Sequence, residues 1–268
     1  MSKSLSNDAS AVNDALQDPA PKIDMPTNVE VNLLRGYHNV ASNEWLNKAI
    51  IRELTGEDEE ALATYDLRNE VSYSEYMTAL LKRAVLSIDD VLVKDNPNMV
   101  DDLIIGDRDL LFLGIIKATY GRYRVFNVTC QKCEGANDVT VDLEKDFEVK
   151  DKDTELNLRI PTSVKLKNGT SIELNYPTGG DSQYVSKKAK TTAEQNTHML
   201  ARCAVLPGMS RPDAEAWARK LNLADRNTLV KSLLAVQPGP RMEEVDTQCA
   251  HCGAKITLAL DWVSLLFG

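Results

Sequence analysis

The sequence has no long apolar run, since its longest uninterrupted apolar stretch (counting Gly114) is the seven residues from Leu110 to Ile116. A membrane span needs roughly 20 such residues, so no membrane partner is expected. No basic segment leads into an apolar one near residue 1, and we therefore expect no secretory signal. Basic residues are in the minority, at 31 Lys and Arg against 40 Asp and Glu, with a pI near 5.0. This balance argues against a protein whose main task is to neutralise phosphates.

The usual motifs of enzymes are missing as well. The sequence has no glycine-rich phosphate loop, and its three histidines form no recognisable catalytic triad. His198 lies five residues before Cys203, a spacing that does not place both side chains on one helix face. Cys203 lies in an apolar helical stretch and is interpreted as a buried core residue, and His38 has no partner nearby in the sequence. We predict no catalytic residues, and a protein that is not an enzyme.

The cysteines carry the clearest signal. Four of the five form two C-x-x-C pairs separated by 115 residues, Cys130 with Cys133 and Cys249 with Cys252. Each pair lies between strand-like stretches, and a glycine after each pair allows the backbone to curl around a bound metal. Tetrahedral zinc needs four soft ligands, of which one C-x-x-C turn supplies two. We predict that these four cysteines hold a structural zinc ion in a split ribbon that leaves no coordination position open.

Other interpretations of the cysteines stay open at this point. The pairs could be reduced thiols or disulfides, and the same four ligands also suit iron. His251 lies inside the second pair and could replace a ligand, although the two cysteines beside it suffice. A dithiol oxidoreductase would need a thiolate with a low pKa at the start of a helix.

The chain as a whole predicts an α+β fold with a helical N-terminal part, a small β region with the split zinc ribbon, and inserted helices. Residues 1–30 are polar and contain three prolines, and this composition predicts an extended arm. Residues 31–122 are predicted to form a helical domain. Residues 123–268 are predicted to form the zinc-ribbon and β region, with a helical insertion at about 181–236.

Three helices are predicted in residues 31–122. The first is capped by Asn43, and the second begins with a capping box formed by Ser72 and Glu75. The third is capped by Asp107 and ended by Gly121. Because this third helix is apolar on nearly all faces, it should be the central, buried helix.

The β region contains a hairpin with a predictable register. A two-residue loop at Asn168-Gly169 would mix the two faces, whereas a three-residue loop with a left-handed Gly169 places Val164 opposite Ile172. In the insertion, helices are predicted to start at Ser210 and Asp225. The apolar end of the chain, from Asp261 onward, is expected to pack on the ribbon.

Several short pieces, taken in order, resemble one known family. They are Gly106-Asp-Arg-Asp-Leu-Leu111, Tyr120-Gly121, Cys130 and Cys133, Val141 to Leu143, Asp225 to Leu234, Cys249-x-x-Cys252-Gly253, and Trp262 with Phe267. The sequence resembles the baseplate hub assembly and tail baseplate proteins of T-even-type contractile-tailed phages, over roughly residues 30 to 268. The resemblance implies a non-enzymatic protein that contacts other tail proteins. Either one copy or an oligomer of it within the particle fits this role. It places the chain in the virion tail baseplate, and in the host cytoplasm during assembly.

A nucleic-acid-binding zinc ribbon is the alternative function. Such modules usually carry basic and aromatic residues around their cysteines. Here Lys132 is accompanied by Glu134, and the second pair has only Lys255 close by, with Asp261 beyond. These charges disfavour nucleic acid as a partner.

Overall fold

The fold was analysed in a computed structural model, which describes residues 28–65, 72–147, 149–150, 157–235, 237–240, 244–259 and 265–266. Helices and strands occur in separate groups along these residues, and the strand pairs are antiparallel, which fits the α+β class. The predicted arm lies almost entirely outside the described residues, as do Trp262 and Phe267 at the other end. No described helix combines the length and the apolar composition that a membrane crossing requires.

The described strands are β1 (Val29–Asn39), β2 (Glu44–Ile51), β3 (Val85–Ile88), β4 (Val91–Leu92), β5 (Tyr123–Thr129), β6 (Ala136–Asp142), β7 (Val149–Lys150), β8 (Thr162–Lys165), β9 (Ser171–Leu174), β10 (Gly239–Pro240), β11 (Glu244–Gln248) and β12 (Lys255–Ala259). The described helices are α1 (Gly56–Ala63), α2 (Tyr73–Ala84), α3 (Met99–Asp102), α4 (Ile105–Tyr120), α5 (Gly179–Lys188), α6 (Thr192–Cys203), α7 (Arg211–Lys220) and α8 (Leu223–Ala235). Strands β1 to β4 form one antiparallel sheet in chain order, and the other strands form two-stranded sheets.

The prediction of a helical N-terminal part is wrong for the residues around Asn43. They form the hairpin β1–β2, and Asn43 lies in its turn with a φ of 56°. Asparagine tolerates this left-handed conformation, so the residue serves the turn and not a helix cap. Among the described residues, the first helix begins at Gly56.

An irregularity in β1 explains why the pattern imitates a helix. The register of β1 against β2 shifts between Asn32 and Tyr37. Leu46 and Ala49 are therefore both buried although they lie three residues apart, a spacing that is also typical of a helix. A bulge of this kind depends on the partner strand, which a local pattern does not reveal.

Asp107 has a different role from the predicted helix cap. Helix α4 begins two residues earlier, at Ile105, and Asp107 lies fully buried in its first turn. Its carboxylate accepts hydrogen bonds from the backbone N–H groups of Leu34, Arg35 and Gly36, at 2.8 Å for Gly36. The side chain thus satisfies backbone donors that the irregularity in β1 leaves without strand partners.

Helix α4 is the central helix, as predicted. Leu111, Phe112, Ile115 and Ile116 are all at most 1% exposed and belong to the largest hydrophobic cluster. Gly121, with a φ of 85°, follows the last helical residue. The same cluster contains residues of the β1–β4 sheet, β5, β6 and α2, and also Leu265 and Leu266 near the end of the chain.

The predicted starts of the other helices are largely confirmed. The Ser72 hydroxyl accepts a hydrogen bond from the N–H of Glu75 and caps α2. Helix α2 ends at Ala84, and the residues that follow it, Val85–Ile88, form β3. Ser210 caps α7, and α8 begins two residues before Asp225.

The hairpin β8–β9 has the predicted register, with Val164 opposite Ile172. Leu166 and Thr170 close the loop with a backbone hydrogen bond of 2.8 Å, and Gly169 has a φ of 85°. This is the three-residue loop that the hydrophobic pattern required. The hairpin packs with α6, α7 and α8 in a second hydrophobic cluster.

Replacing Gly169 by alanine should destabilise the protein by about 1–2 kcal/mol, because a Cβ is strained at positive φ even in open space. Gly56→Ala is the matched control, since a Cβ there also meets nothing within 4 Å and the residue begins a helix. We expect the control to leave stability unchanged or to raise it by up to about 1 kcal/mol. Urea unfolding of both variants measures the difference, and equal effects would contradict the left-handed loop.

Candidate metal centre

The first cysteine pair lies in the turn between β5 and β6. Cys130 donates its backbone N–H to the carbonyl oxygen of Gly135, and Glu134 donates to the carbonyl oxygen of Cys130. The left-handed residue of this turn is Glu134, with a φ of 57°, and not the glycine that the sequence suggested. Gly135 has another function, because a Cβ on it would lie 2.5 Å from Cδ2 of His251. The glycine therefore makes room for the second pair.

The second cysteine pair lies in the turn between β11 and β12. Cys249 donates its N–H to the carbonyl oxygen of Ala254, and Gly253 donates to the carbonyl oxygen of Cys249. Gly253 has a φ of 70°, so here the glycine does provide the left-handed conformation that was predicted. The two turns are thus similar in their hydrogen bonds but differ in the residue that reverses the chain.

The fold brings the four predicted cysteines together. Their sulfur atoms all lie within 4.8 Å of one another, a group that could hold a metal ion. The sulfur of Cys130 lies 3.8 Å from that of Cys252, and the sulfur of Cys133 lies 3.6 Å from that of Cys249. A tetrahedron with metal–sulfur distances of about 2.3 Å has edges of about 3.8 Å, so these spacings suit a tetrahedral ion.

The protonation of the thiols depends on the backbone and on the neighbouring sulfurs. Burial opposes ionisation of Cys249, but N–H groups of His251 and Cys252 point at its sulfur and lower its pKa to about 6. The backbone N–H of Gly135 favours the thiolate of Cys133, yet the neighbouring sulfurs and burial outweigh it and raise the pKa to about 12. Four thiolates this close repel one another, so a bound cation is needed to ionise all of them.

Two side chains outside the cysteine set hold the turns against each other. Asn137 is buried, and its amide oxygen accepts from the N–H of Ala250 at 2.9 Å while its amide nitrogen donates to Gly135 at 2.8 Å. The His251 ring lies 3.0 Å from the carbonyl oxygen of Ala136, away from the sulfur cluster. Sequence reasoning missed Asn137, although a polar residue in phase with the buried Val139 and Val141 was a visible signal.

The remaining candidate residues lie elsewhere. Cys203 is 1% exposed, and burial raises the pKa of its thiol, so it has the character of a core residue. His198 is also buried and pairs with Glu215 at 3.1 Å. His38 does have a partner, because its ring nitrogen lies 3.2 Å from the side-chain oxygen of Asn43.

Four cysteines around one ion would fill a tetrahedral coordination shell. An ion held in this way has no position for a water molecule or a substrate, so it supplies no hydrolytic chemistry. Both cysteine pairs lie in turns between strands, and not at helix starts, where a redox-active C-x-x-C motif has its reactive thiolate. The arrangement is therefore suited to holding chain segments together.

Comparison with known proteins identifies a family. The sequence model of the family described as "T4 bacteriophage base plate protein" matches residues 38–268, which is more than half of the chain. No curated protein and no solved structure shows significant similarity to the chain. The match includes both cysteine pairs and the central helix α4.

Proposed function

The chain belongs to the family of T4 bacteriophage base plate proteins, and from this premise we propose that it is a structural or assembly protein of the baseplate hub. It acts through contacts with other tail proteins and carries a structural zinc ion. The observation that supports this most directly is the closed group of four cysteines within a family of baseplate proteins. Such a site stabilises a surface and catalyses nothing, in agreement with the non-enzymatic role to which the family points.

We assign the metal to Cys130, Cys133, Cys249 and Cys252. The spacing of the sulfurs supports zinc, and the donor set of four thiolates suits it. Asn137 and His251 bind the two turns to each other and so orient the ligands. Ligands that are oriented in advance bind a metal more tightly than flexible ones.

The proposed zinc also explains the order of the segments in the chain. The first cysteine pair ends β5 and the second pair precedes β12, so the ion would join β5–β6 to β11–β12. The residues between the two pairs include β8, β9 and α5 to α8, and all of these elements except α5 contribute to the second hydrophobic cluster. We also propose that the chain divides near residues 30 and 122 and carries a helical insertion at about 181–236.

The place of action follows from the family. We propose that the protein is made in the host cytoplasm and enters the virion tail baseplate, where its partners are other tail proteins. One copy or several are compatible with this role, and neither nucleic acid nor membrane is an expected partner.

Purification of intact tail particles tests this function. We expect the protein to copurify with the baseplate in a fixed ratio to the other tail proteins, as measured by quantitative mass spectrometry. A protein that is required for assembly but absent from finished particles would be an assembly factor. Normal particle yield from phage that lack the protein, together with its absence from wild-type particles, would contradict both forms of the proposal.

A further inference from the structure

Strand β5 has one edge that no described residue covers. The strand pairs with β6 over its whole length and with no other described strand. Cys130 donates its N–H to Gly135 at one end of the ladder, and Leu143 donates to the carbonyl oxygen of Arg122 at the other. In an antiparallel pair the hydrogen-bonded residues alternate, so the even-numbered residues of β5 bond to β6. The N–H and C=O groups of Tyr123, Val125, Asn127 and Thr129 therefore point away from β6.

These four residues are also exposed and uncharged. Tyr123 is 57% exposed and Val125 is 56% exposed, and Asn127 and Thr129 belong to the exposed class as well. None of them makes a backbone hydrogen bond to another described residue on this side of the strand. A row of free donors and acceptors with β-branched and aromatic side chains is a ready template for another strand.

The other outer strands of the described sheets are protected. Strand β1 is irregular, and β4, β7 and β10 have two residues each. The outer edge of β9 bonds to the segment that contains Val205, and β8 has only four residues. The outward residues of β6, β11 and β12 include Asp138, Asp246 and Lys255. Proteins normally protect strand edges in these ways against pairing with other chains, whereas β5 has seven residues, no proline, no register shift and no outward charge.

Charged side chains lie near both ends of β5. Its last residues face the start of β12 across a cleft lined by residues 128–132 and 254–257, which include Lys132 and also Lys255, whose ammonium pairs with Asp246 at 2.7 Å. At the other end of the strand, the Arg124 guanidinium lies 4.3 Å from the centre of the Tyr120 ring and has no carboxylate partner among the described residues.

We propose that the free edge of β5 is an interaction surface that takes an extended segment of another tail protein as an additional β-strand. Residues directly opposite in neighbouring strands lie about 5 Å apart, so alternate side chains of the segment would face Val125 and Arg124. The occupant therefore has β-branched or aromatic residues on one face and an Asp or Glu opposite Arg124 on the other. Backbone hydrogen bonds supply affinity in this mode, and the alternating side chains supply specificity. The proposal rests on the proposed function, because it takes the partner from the tail particle.

Proline at position 125 tests the edge directly. Val125→Pro removes an outward N–H and leaves the β5–β6 ladder intact, since proline is tolerated where the N–H faces away from the ladder. Val125→Lys adds the charge with which natural edges are protected. Thr140→Lys is the control, because Thr140 lies opposite Val125 on β6, one strand further from the edge. Each variant is supplied as the only copy of the protein in phage-infected cells, and its amount in purified tails is measured by mass spectrometry.

We expect both variants at position 125 to enter particles at least tenfold less than wild type, and Thr140→Lys to enter as wild type does. All three should keep the metal content and melting temperature of wild type when purified, and if Val125→Pro does not fold, Val125→Lys decides the result. Wild-type incorporation of folded variants at position 125 would overturn the edge proposal and leave the proposed function standing. Absence of the wild-type protein from tails, together with normal tail assembly without it, would overturn the proposed function instead. If sedimentation shows that wild type is a dimer and Val125→Lys a monomer, the occupant is a second copy and the proposed partner is wrong.

Discussion

Removal of the metal should lower the melting temperature of the protein by roughly 10–20 °C. The ion would join Cys133 to Cys249 and so close a loop of 115 residues. Without this link the unfolded chain has more conformational entropy. In the cross-link model this lowers the free energy of unfolding by about 5 kcal/mol. In a protein of this size each kcal/mol changes the melting temperature by roughly 2–4 °C.

The experiment compares melting with and without excess chelator, with the metal content measured in each sample. Cys252→Ser is the informative variant, because Cys252 is exposed and its replacement leaves no cavity in the core. We expect this variant to bind no zinc, to lose solubility, and to show no further effect of chelator. Acid should act like chelator, since the four ligands must be deprotonated to bind the metal.

Cys203→Ala is the matched control for the loss of a thiol. Cys203 is buried in the second hydrophobic cluster and is not a member of the sulfur group. The variant should keep one zinc ion per chain and the full response to chelator, although its core is weakened. If wild-type protein, shown to be free of metal, melts at the same temperature as the metal-loaded form, the structural role of the ion is wrong.

The second large effect is expected at Asp58, where replacement by alanine should cost about 2–3 kcal/mol, the value for hydrogen bonds to a buried charged group. Asp58 is fully buried in α1, and its carboxylate accepts from both terminal nitrogens of Arg52 and from Nε of Arg83. It also accepts from the backbone N–H of Thr55 at 3.0 Å. Removing it leaves the guanidinium groups of Arg52 and Arg83 without their buried partner, and solvent screens part of this loss because their side chains are 20% and 37% exposed.

The pH dependence gives Asp58 a distinct signature. Burial alone would raise the pKa of Asp58, but the hydrogen bonds from Arg52, Thr55 and Arg83 outweigh it and hold the pKa far below its usual range. A carboxyl with a lower pKa in the folded state stabilises the protein above its unfolded pKa, near 3.8, and this contribution is lost as the pH falls through the folded value. The difference in stability between wild type and Asp58→Asn should therefore be largest near pH 6 and decrease below about pH 4.

Glu59→Ala controls for the loss of a negative charge in the same helical turn. Glu59 is exposed and forms no ion pair among the described residues, so its replacement should cost less than about 0.5 kcal/mol. Urea unfolding at a series of pH values measures all three variants. A cost at Asp58 that equals the cost at Glu59, or that does not depend on pH, would show that the ion pairs contribute nothing.

The two cysteine turns and the hairpin register could be predicted from local sequence because each is fixed by residues near one another. The spacing within a C-x-x-C pair sets two ligands in one turn, and alternation along β8 and β9 admits one loop length that keeps Val164 opposite Ile172. The buried helix could also be predicted from local sequence, since α4 is apolar on nearly all of its faces. Asn43 shows the limit, because apolar residues three apart fit both a helix and a strand whose partner is irregular.

Spacing and periodicity act over a few residues, so the two cysteine turns, the register of β8 and β9 and the buried helix are encoded locally. The contacts of Asp107 with the backbone of β1, of Gly135 with His251 and of Asn137 with both cysteine turns become visible when the chain is folded. Each of these contacts connects residues about 70 to 115 positions apart. The free edge of β5 belongs to the same group, because a strand edge is defined by which other strands fail to reach it.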